Sequence, residues 1–247
     1  MLVLLPPSET KASGGDRPPL RLDTLSHAEL TPTRRKLVDE LVRLAGDTSA
    51  GRIALRLSER QDGELALNAA LWNAPTLPAL HRYTGVLFTA LDTSSLRSGA
   101  AARLAVASAL FGLLAADDPV PAYRLSASSS LPEAGTLRSV WRPVLPSVLA
   151  RVTDLVVDLR SGAYAALAPL QDAVTVRVLC ADSNGLSRGG GRPISHHNKA
   201  HKGRLARLLA TAPREVSDAD GVARVAHRGG LRVQRTGEHA LDLIVPV

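Results

Sequence analysis

At 247 residues, 45% of them hydrophobic, the chain has the length and apolar content for one large globular domain or two small ones, which excludes a disordered polypeptide. Its net charge of +7, from 30 Lys and Arg against 23 Asp and Glu, favours anionic partners. A single cysteine, Cys180, excludes an intramolecular disulfide and any multi-cysteine metal centre, and an aromatic content of 3% leaves few rings for the stacking platforms that hold single-stranded nucleic acid.

Residues 1–5 are apolar at every position and predict a short buried strand. Pro6 and Pro7 end this run well short of the apolar core of a signal peptide. No later stretch offers the roughly 20 apolar residues of a membrane span, so a cytoplasmic protein is expected. Residues 6–15 form a loop whose Ser8 and Lys11 fall just past the strand end, where open α/β sheets gather ligand groups; the alternative is a polar surface turn. Residues 16–32 are Pro-rich and polar, an irregular connection. Leu37, Leu41 and Leu44 recur at helical spacing across 33–45, with Gly46 as the stop. Ile53, Leu55 and Leu57 suit strand or helix, and 64–72 reads as a helix ended by Pro75. Together the short helices across 33–75 are compatible with a helix-hairpin-helix.

Residues 78–91 read as a loop entering a helix, and 104–114 as a buried strand followed by a turn. The proline-punctuated segment 117–124 is a loop. A helix across 135–150 must be kinked or split by Pro143 and Pro146. Strands follow at 153–159 and 174–180, separated by a helix reaching 167, with Cys180 expected as a small buried residue. Helices at 198–210 and 217–227 precede a closing hairpin of 231–235 with 240–245, turned at 236–238. Strands and helices alternate without an internal repeat. The predicted class is mixed α/β, a single compact domain with a mixed sheet flanked by helices.

The chemistry concentrates late in the chain. From Arg188 to Arg207 there are six Lys or Arg, three His and no acid, a ribbon of one sign suited to an anionic partner or to a solvated exterior. Its glycine-rich lead, Arg188-Gly189-Gly190-Gly191-Arg192, lacks the Lys-Ser/Thr ending of a P-loop. If an anion binds, the loop amides and the first turn of the following helix would face it, with Lys199, Lys202 and Arg204 supplying charge. His197 and His201 share a helix face, but Asn198 stands where a zinc protease motif has Glu, and Lys199 and Lys202 would repel a cation; neither a metal nor a cofactor is expected. There are four lysines, Lys11, Lys36, Lys199 and Lys202, in a chain otherwise rich in Arg. An ammonium is a compact donor of tunable pKa that Arg replaces poorly at a chemical site.

Several segments, in order along nearly the whole chain, resemble the YaaA family of peroxide-stress proteins. They are the opening strand with Pro6-Pro7-Ser8-Glu9-Thr10-Lys11, then Tyr83-Thr84-Gly85, then Ser108-Ala109-Leu110-Phe111-Gly112-Leu113-Leu114. Asp118, Pro121-Ala122-Tyr123-Arg124-Leu125, Trp141 and Asn198-Lys199-Ala200-His201-Lys202-Gly203 complete the set. Two positions depart from the family pattern: Ser126 follows Leu125 where Glu is frequent, and Lys202 precedes Gly203 where Arg is common. The resemblance implies a mixed α/β fold, duplex DNA binding through a helix-hairpin-helix and a basic cleft, and a role in limiting oxidative DNA damage and free iron. The anion- or DNA-binding candidates are Ser8, Lys11, Tyr83, Arg124, Arg188, Arg192, His197, Lys199, Lys202 and Arg204. The alternative is an enzyme for a nucleotide or another phosphorylated or carboxylated small molecule, with Lys11, Arg124 and Lys199 as its catalytic groups. It requires those three to converge; the bland counterpart is a set of unrelated surface ion pairs.

Overall fold

The chain begins with strand β1 (Leu2–Leu5), whose last three residues are buried. Such an all-apolar strand suits the middle of a parallel sheet covered on both faces. In the computed structural model, which describes residues 1–180 and 197–245, it lies near the centre of a seven-stranded sheet. The other strands are β2 (Leu104–Ser108), β3 (Gly112–Ala115), β4 (Val156–Asp158), β5 (Val174–Cys180), β6 (Arg232–Gly237) and β7 (Ala240–Val245). Their order is β6-β7-β5-β4-β1-β2-β3. The five inner strands run parallel, and β3 and β6 close the two edges as antiparallel hairpin partners.

From β1 the chain crosses to β2 on one side, pairing Val3 with Leu104. It later returns to β4 on the other, pairing Leu2 with Val156. The carboxyl end of β1 is therefore a topological switch point, the place where open α/β sheets leave a crevice for ligands. Ser8, Ser108, Asp158 and Cys180 all stand at or just beyond this edge, at the ends of β1, β2, β4 and β5.

The segment 104–114, predicted as a buried strand followed by a turn, is a hairpin of two strands. Gly112 makes the reversal at a φ of 76°, in the left-handed region that favours glycine, with the Trp141 ring pressed on its Cα. Trp141 is wholly buried and donates its indole N–H to Ala109 O at 2.8 Å. The prolines do split the 135–150 helix, into Leu137–Trp141 and Leu145–Leu149. Cys180 is only partly buried, against the edge of the core.

Helix α1 (Thr31–Ala45) buries Leu37, Val38, Leu41 and Leu44. Its Arg34 is fully buried and donates to the carbonyls of Phe111 and Leu113 at 2.9 Å each, which ties α1 to the β2–β3 hairpin. Helices α2 (Thr48–Leu55) and α3 (Gly63–Ala69) follow; Ile53, read as strand or helix, lies on α2 and is exposed. Helix α4 (Val86–Leu91) packs closely on α5 (His197–Ala210), and α6 (Ala219–Arg228) covers β6 and β7. The close approach of α4 and α5 depends on Gly203, where any Cβ would overlap the carbonyl oxygen of Leu87. Among the described residues no helix is long and apolar enough to cross a membrane.

Candidate functional site

The loop after β1 is held in place from below. Arg82, fully buried, donates to Val120 O at 3.0 Å, to Gly14 O at 2.8 Å and to Ala12 O. Ala12 N–H donates back to Arg82 O at 2.9 Å, and Lys11 bridges Tyr83 in an antiparallel pair. Thr84 N–H reaches Ser8 Oγ at 3.0 Å, and Ser8 Oγ in turn donates to Thr10 O at 2.5 Å. The turn between these segments needs Gly85, whose φ of 95° with ψ near 180° is essentially a glycine conformation. Ser8 thus works as a structural clasp between the first loop and the Tyr83-Thr84-Gly85 element.

Lys11 is the centre of what this clasp positions. Its Nζ lies 4.2 Å from the centroid of the Tyr123 ring and 5.6 Å from that of Tyr83. It donates to Glu9 O at 3.2 Å and Ser8 O at 3.4 Å. The side chain keeps a part of its surface in solvent although protein surrounds most of the amine. Burial, reinforced by the positive charge of Arg124, lowers its pKa to about 7; Glu64 and Glu9 oppose the shift, and Arg82 adds to it.

Beneath the lysine runs a file of hydroxyls. Ser108 Oγ and Tyr123 OH are 2.8 Å apart, as are Tyr123 OH and Tyr83 OH. Phe111 N–H donates to Ser108 Oγ at 2.9 Å and fixes that end. Burial pushes both phenols well above the usual tyrosine pKa, so they serve as neutral hydrogen-bonding groups and not as bases. Tyr164, on the helix Gly162–Ala165, is no hydrogen-bonded part of this file among the described residues, but its phenol is also pushed up, by burial and then by Tyr123.

Arg124 supplies the cation next to Lys11. Asn68 of α3, completely buried, holds its backbone from both sides: Arg124 N–H donates to Asn68 Oδ1 at 2.8 Å, and Asn68 Nδ2 donates to Arg124 O at 2.9 Å. The Arg124 side chain is 14% exposed, and its ion pair with Glu9, at 3.2 Å, involves a carboxylate 69% exposed. The backbone of Arg124 is therefore clamped and its side chain largely buried, while the carboxylate that pairs with it stands in solvent.

Lys202 reaches the same edge of the sheet from α5. Its Nζ donates to Leu159 O at 3.0 Å and Arg160 O at 3.4 Å, at the end of β4. Burial lowers its pKa, with Asp158 partly offsetting that effect. Asp158 is itself buried and pairs with Arg160 through bonds of 2.7 and 2.9 Å.

Of the residues singled out in the sequence, Ser8, Lys11, Tyr83 and Arg124 gather around Tyr123. Lys202 is anchored to backbone carbonyls, and Arg207 likewise to Leu91 O and Asp92 O. Lys199 and Arg204 stand exposed on α5, no ion pair engages either among the described residues, and no described contact brings Lys199 to Lys11 or Arg124, so only two of the three groups expected to converge are gathered. Arg188, Arg192 and the His197 side chain lie outside the described residues. Asn68, Ser108, Tyr123, Tyr164 and the Asp158–Arg160 pair were not singled out. Tyr123 and Ser108 sat inside the motifs, but nothing in the sequence ties Asn68 to Arg124 across 55 intervening positions. Among the described residues no group of three or more His, Cys, Asp or Glu is placed to hold a metal ion.

Fold and side-chain cluster together define a mixed α/β protein with lysine, tyrosine and arginine gathered at the switch point of its sheet. The chain belongs to the YaaA family: the family model described as peroxide stress protein YaaA matches residues 1–235. It is similar to a UPF0246 protein of Corynebacterium efficiens, 44% identical over 238 residues that cover 95% of each chain. A UPF0246 protein of Corynebacterium glutamicum is 41% identical over the whole of both chains, and one of Streptomyces coelicolor is 44% identical over 85% of this chain and 84% of its own.

Proposed function

We propose that the protein is a cytoplasmic member of the peroxide-stress family that binds, and acts on, a small carboxylated or phosphorylated molecule in the Lys11–Arg124 pocket. The observation that carries this is the pairing of a largely buried Arg124, its backbone clamped by Asn68, with an exposed Glu9 carboxylate beside Lys11. An incoming carboxylate or phosphate can take the place of Glu9 on the guanidinium without leaving a charge unpaired. The Tyr123 and Tyr83 rings close the floor, and the switch-point position is where such ligands sit in comparable sheets. Calorimetric titration with inorganic phosphate and with a set of small mono- and dicarboxylates tests it. Arg124→Gln should weaken the best binder by at least about tenfold, the loss expected on removing a charge-assisted pair. Equal affinity of wild type and variant for every anion would overturn the assignment.

Binding of duplex DNA is the second reading, favoured by the exposed Lys199 and Arg204 on α5. Together with Arg188, Arg192 and His197 they would form the basic contact strip. The α1–α2 hairpin, the other candidate surface within 33–75, already engages its turn: Gly46 and Asp47 N–H groups bond to Arg43 O and Leu44 O, and Asp47 caps α2 by accepting from Ala50 N–H. The test is the salt dependence of binding to a random-sequence duplex. Lys199→Ala with Arg204→Ala should reduce the slope of log K against log salt by about two. Lys202 is the wrong probe for this, since removing it would strip the end of β4 of its cation.

A further inference from the structure

An anion is held best by an ammonium that keeps its charge, yet Lys11 is placed where that charge is hardest to keep. Its amine is packed on the Tyr123 face, walled by Tyr83, and set beside two guanidiniums, Arg124 and Arg82, with only part of the side chain in solvent. Two carbonyls, Ser8 O and Glu9 O, accept from it. A neutral amine has two hydrogens to give to these acceptors and retains a lone pair, the arrangement of a nucleophile.

We infer that Lys11 is a covalent lysine, whose ε-amine condenses with the carbonyl carbon of a small aldehyde or 2-oxo acid while the carboxylate of that molecule replaces Glu9 on Arg124. The inference rests on the pocket assigned above and specifies its chemistry. In the first step the nitrogen lone pair forms the N–C bond, and the carbonyl π pair moves to oxygen, which takes a proton from the nitrogen. In the second the carbinolamine loses that oxygen as water, with the remaining nitrogen proton, and a C=N bond is left. No oxidant or further reactant enters. Tyr123 and Tyr83, neutral throughout, supply a flat wall for the planar imine, and Arg124 fixes the carboxylate end so that the carbonyl faces the amine.

The other lysines are an internal control. Lys36 and Lys199 are exposed, and Lys202 is tied to two carbonyls at the end of β4. The full chain, incubated with glyoxylate and cyanoborohydride at neutral pH and digested, should carry a carboxymethyl group on Lys11. Its initial rate should exceed that on Lys36 or Lys199 by about tenfold or more, because about half of the Lys11 amine is neutral at pH 7 and Arg124 beside it holds the carboxylate of the aldehyde. The rate at Lys11 should rise with a midpoint of about 7, set by burial and by the facing charges of Arg124, Glu64, Glu9 and Arg82. Acetaldehyde, which has no carboxylate, should lose much of the preference, and so should Arg124→Gln probed with glyoxylate. Labelling of Lys11 no faster than Lys36 or Lys199, in a protein that still binds carboxylates by calorimetry, overturns the covalent role and leaves the pocket assignment standing. Absence of both labelling and anion binding removes the two together.

Discussion

The ammonium nitrogen of Lys11 lies 4.2 Å from the centre of the Tyr123 ring, and the hydroxyl of that same ring is bonded to both Ser108 and Tyr83. One aromatic residue therefore joins the carboxyl end of β2, the Tyr83 turn and the loop after β1. The lysine stands on a platform that cannot move without breaking a buried hydroxyl chain, so its position is determined by the fold and its energy is not optimised for stability.

That arrangement has a measurable cost. Between pH 7 and 10.5 the unfolded chain carries a proton on Lys11 that the folded chain has released, so stability rises with pH through that window; below about 7 the penalty is present in full. Lys11→Met keeps the length of the stem and removes the charge. It should stabilise the protein by about 2 kcal/mol at pH 6, a figure discounted for the solvent that still reaches the amine, and the gain should shrink towards pH 10. Denaturant titrations of both proteins at pH 6, 8 and 9.5 measure it. A gain that does not change between pH 6 and 9.5 would mean that the amine stays charged in the folded protein.

Asn68 should prove as important to the pocket as any charged residue. Both of its hydrogen bonds go to the backbone of Arg124, and the side chain is entirely buried. Asn68→Ala leaves one donor and one acceptor unpaired, which should cost about 2–4 kcal/mol. The variant should also bind carboxylates more weakly than its lost stability explains, because Arg124 is no longer aimed. Asn68→Asp keeps the bond from Arg124 N–H and loses the one to Arg124 O, and should fall between the two in both measurements.

Much of this was legible in the chain itself, for identifiable reasons. β1 declares itself because five apolar residues meet two prolines, and β5 because its buried and exposed positions alternate, leaving Val174, Val176 and Val178 inside. The α1 periodicity placed Leu37, Leu41 and Leu44 correctly, and only its start shifts, to Thr31, ahead of a proline at the second helical position. The β2–β3 hairpin was hidden because both strands are apolar on both faces, so no alternation marks the turn, and only the left-handed Gly112 betrays it. At the site, Ser8, Lys11, Tyr83 and Arg124 could be named as residues, but their meeting point could not. It depends on Asn68 and Tyr123, contacts that arise only when α3 and the 121–125 segment fold together. The basic ribbon shows the opposite limit: equal in sequence, its members divide into anchors (Lys202, Arg207) and exposed cations (Lys199, Arg204) because a helix shows only part of its circumference to solvent.

Gly203 illustrates a helix residue chosen for what it lacks. A methyl group there would overlap Leu87 O and come within 2.9 Å of the Ala90 side chain, in the middle of the α4–α5 contact. Gly203→Ala would gain helix propensity in an isolated peptide, by up to about 1 kcal/mol. In the folded protein it should instead destabilise by about 2–3 kcal/mol, since α5 must lift away from α4. Thermal melting of this variant beside Arg204→Gly, a helix change at an exposed position, separates packing from propensity. A stabilised Gly203→Ala would show that the two helices are not in close contact.

Glu9 should act as a brake on the pocket. Its exposed carboxylate neutralises Arg124 in the empty site and raises the Lys11 pKa, so it both competes with an incoming anion and keeps the amine more often charged. Glu9→Gln removes the competitor while leaving the Glu9 backbone carbonyl that accepts from Lys11. Two consequences follow with opposite readouts. Phosphate and carboxylate affinity should rise by about three- to tenfold, the worth of about 0.7–1.4 kcal/mol at a half-exposed ion pair. The midpoint of the Lys11 labelling profile should fall, because a negative charge that favoured the protonated form has gone. The stability of the protein should change little, since a carboxylate this exposed contributes at most about 1 kcal/mol through its ion pair. Weaker anion binding in Glu9→Gln would mean that the carboxylate helps to assemble the site instead of occupying it, and Arg124 would then need Glu9 to hold its guanidinium in place.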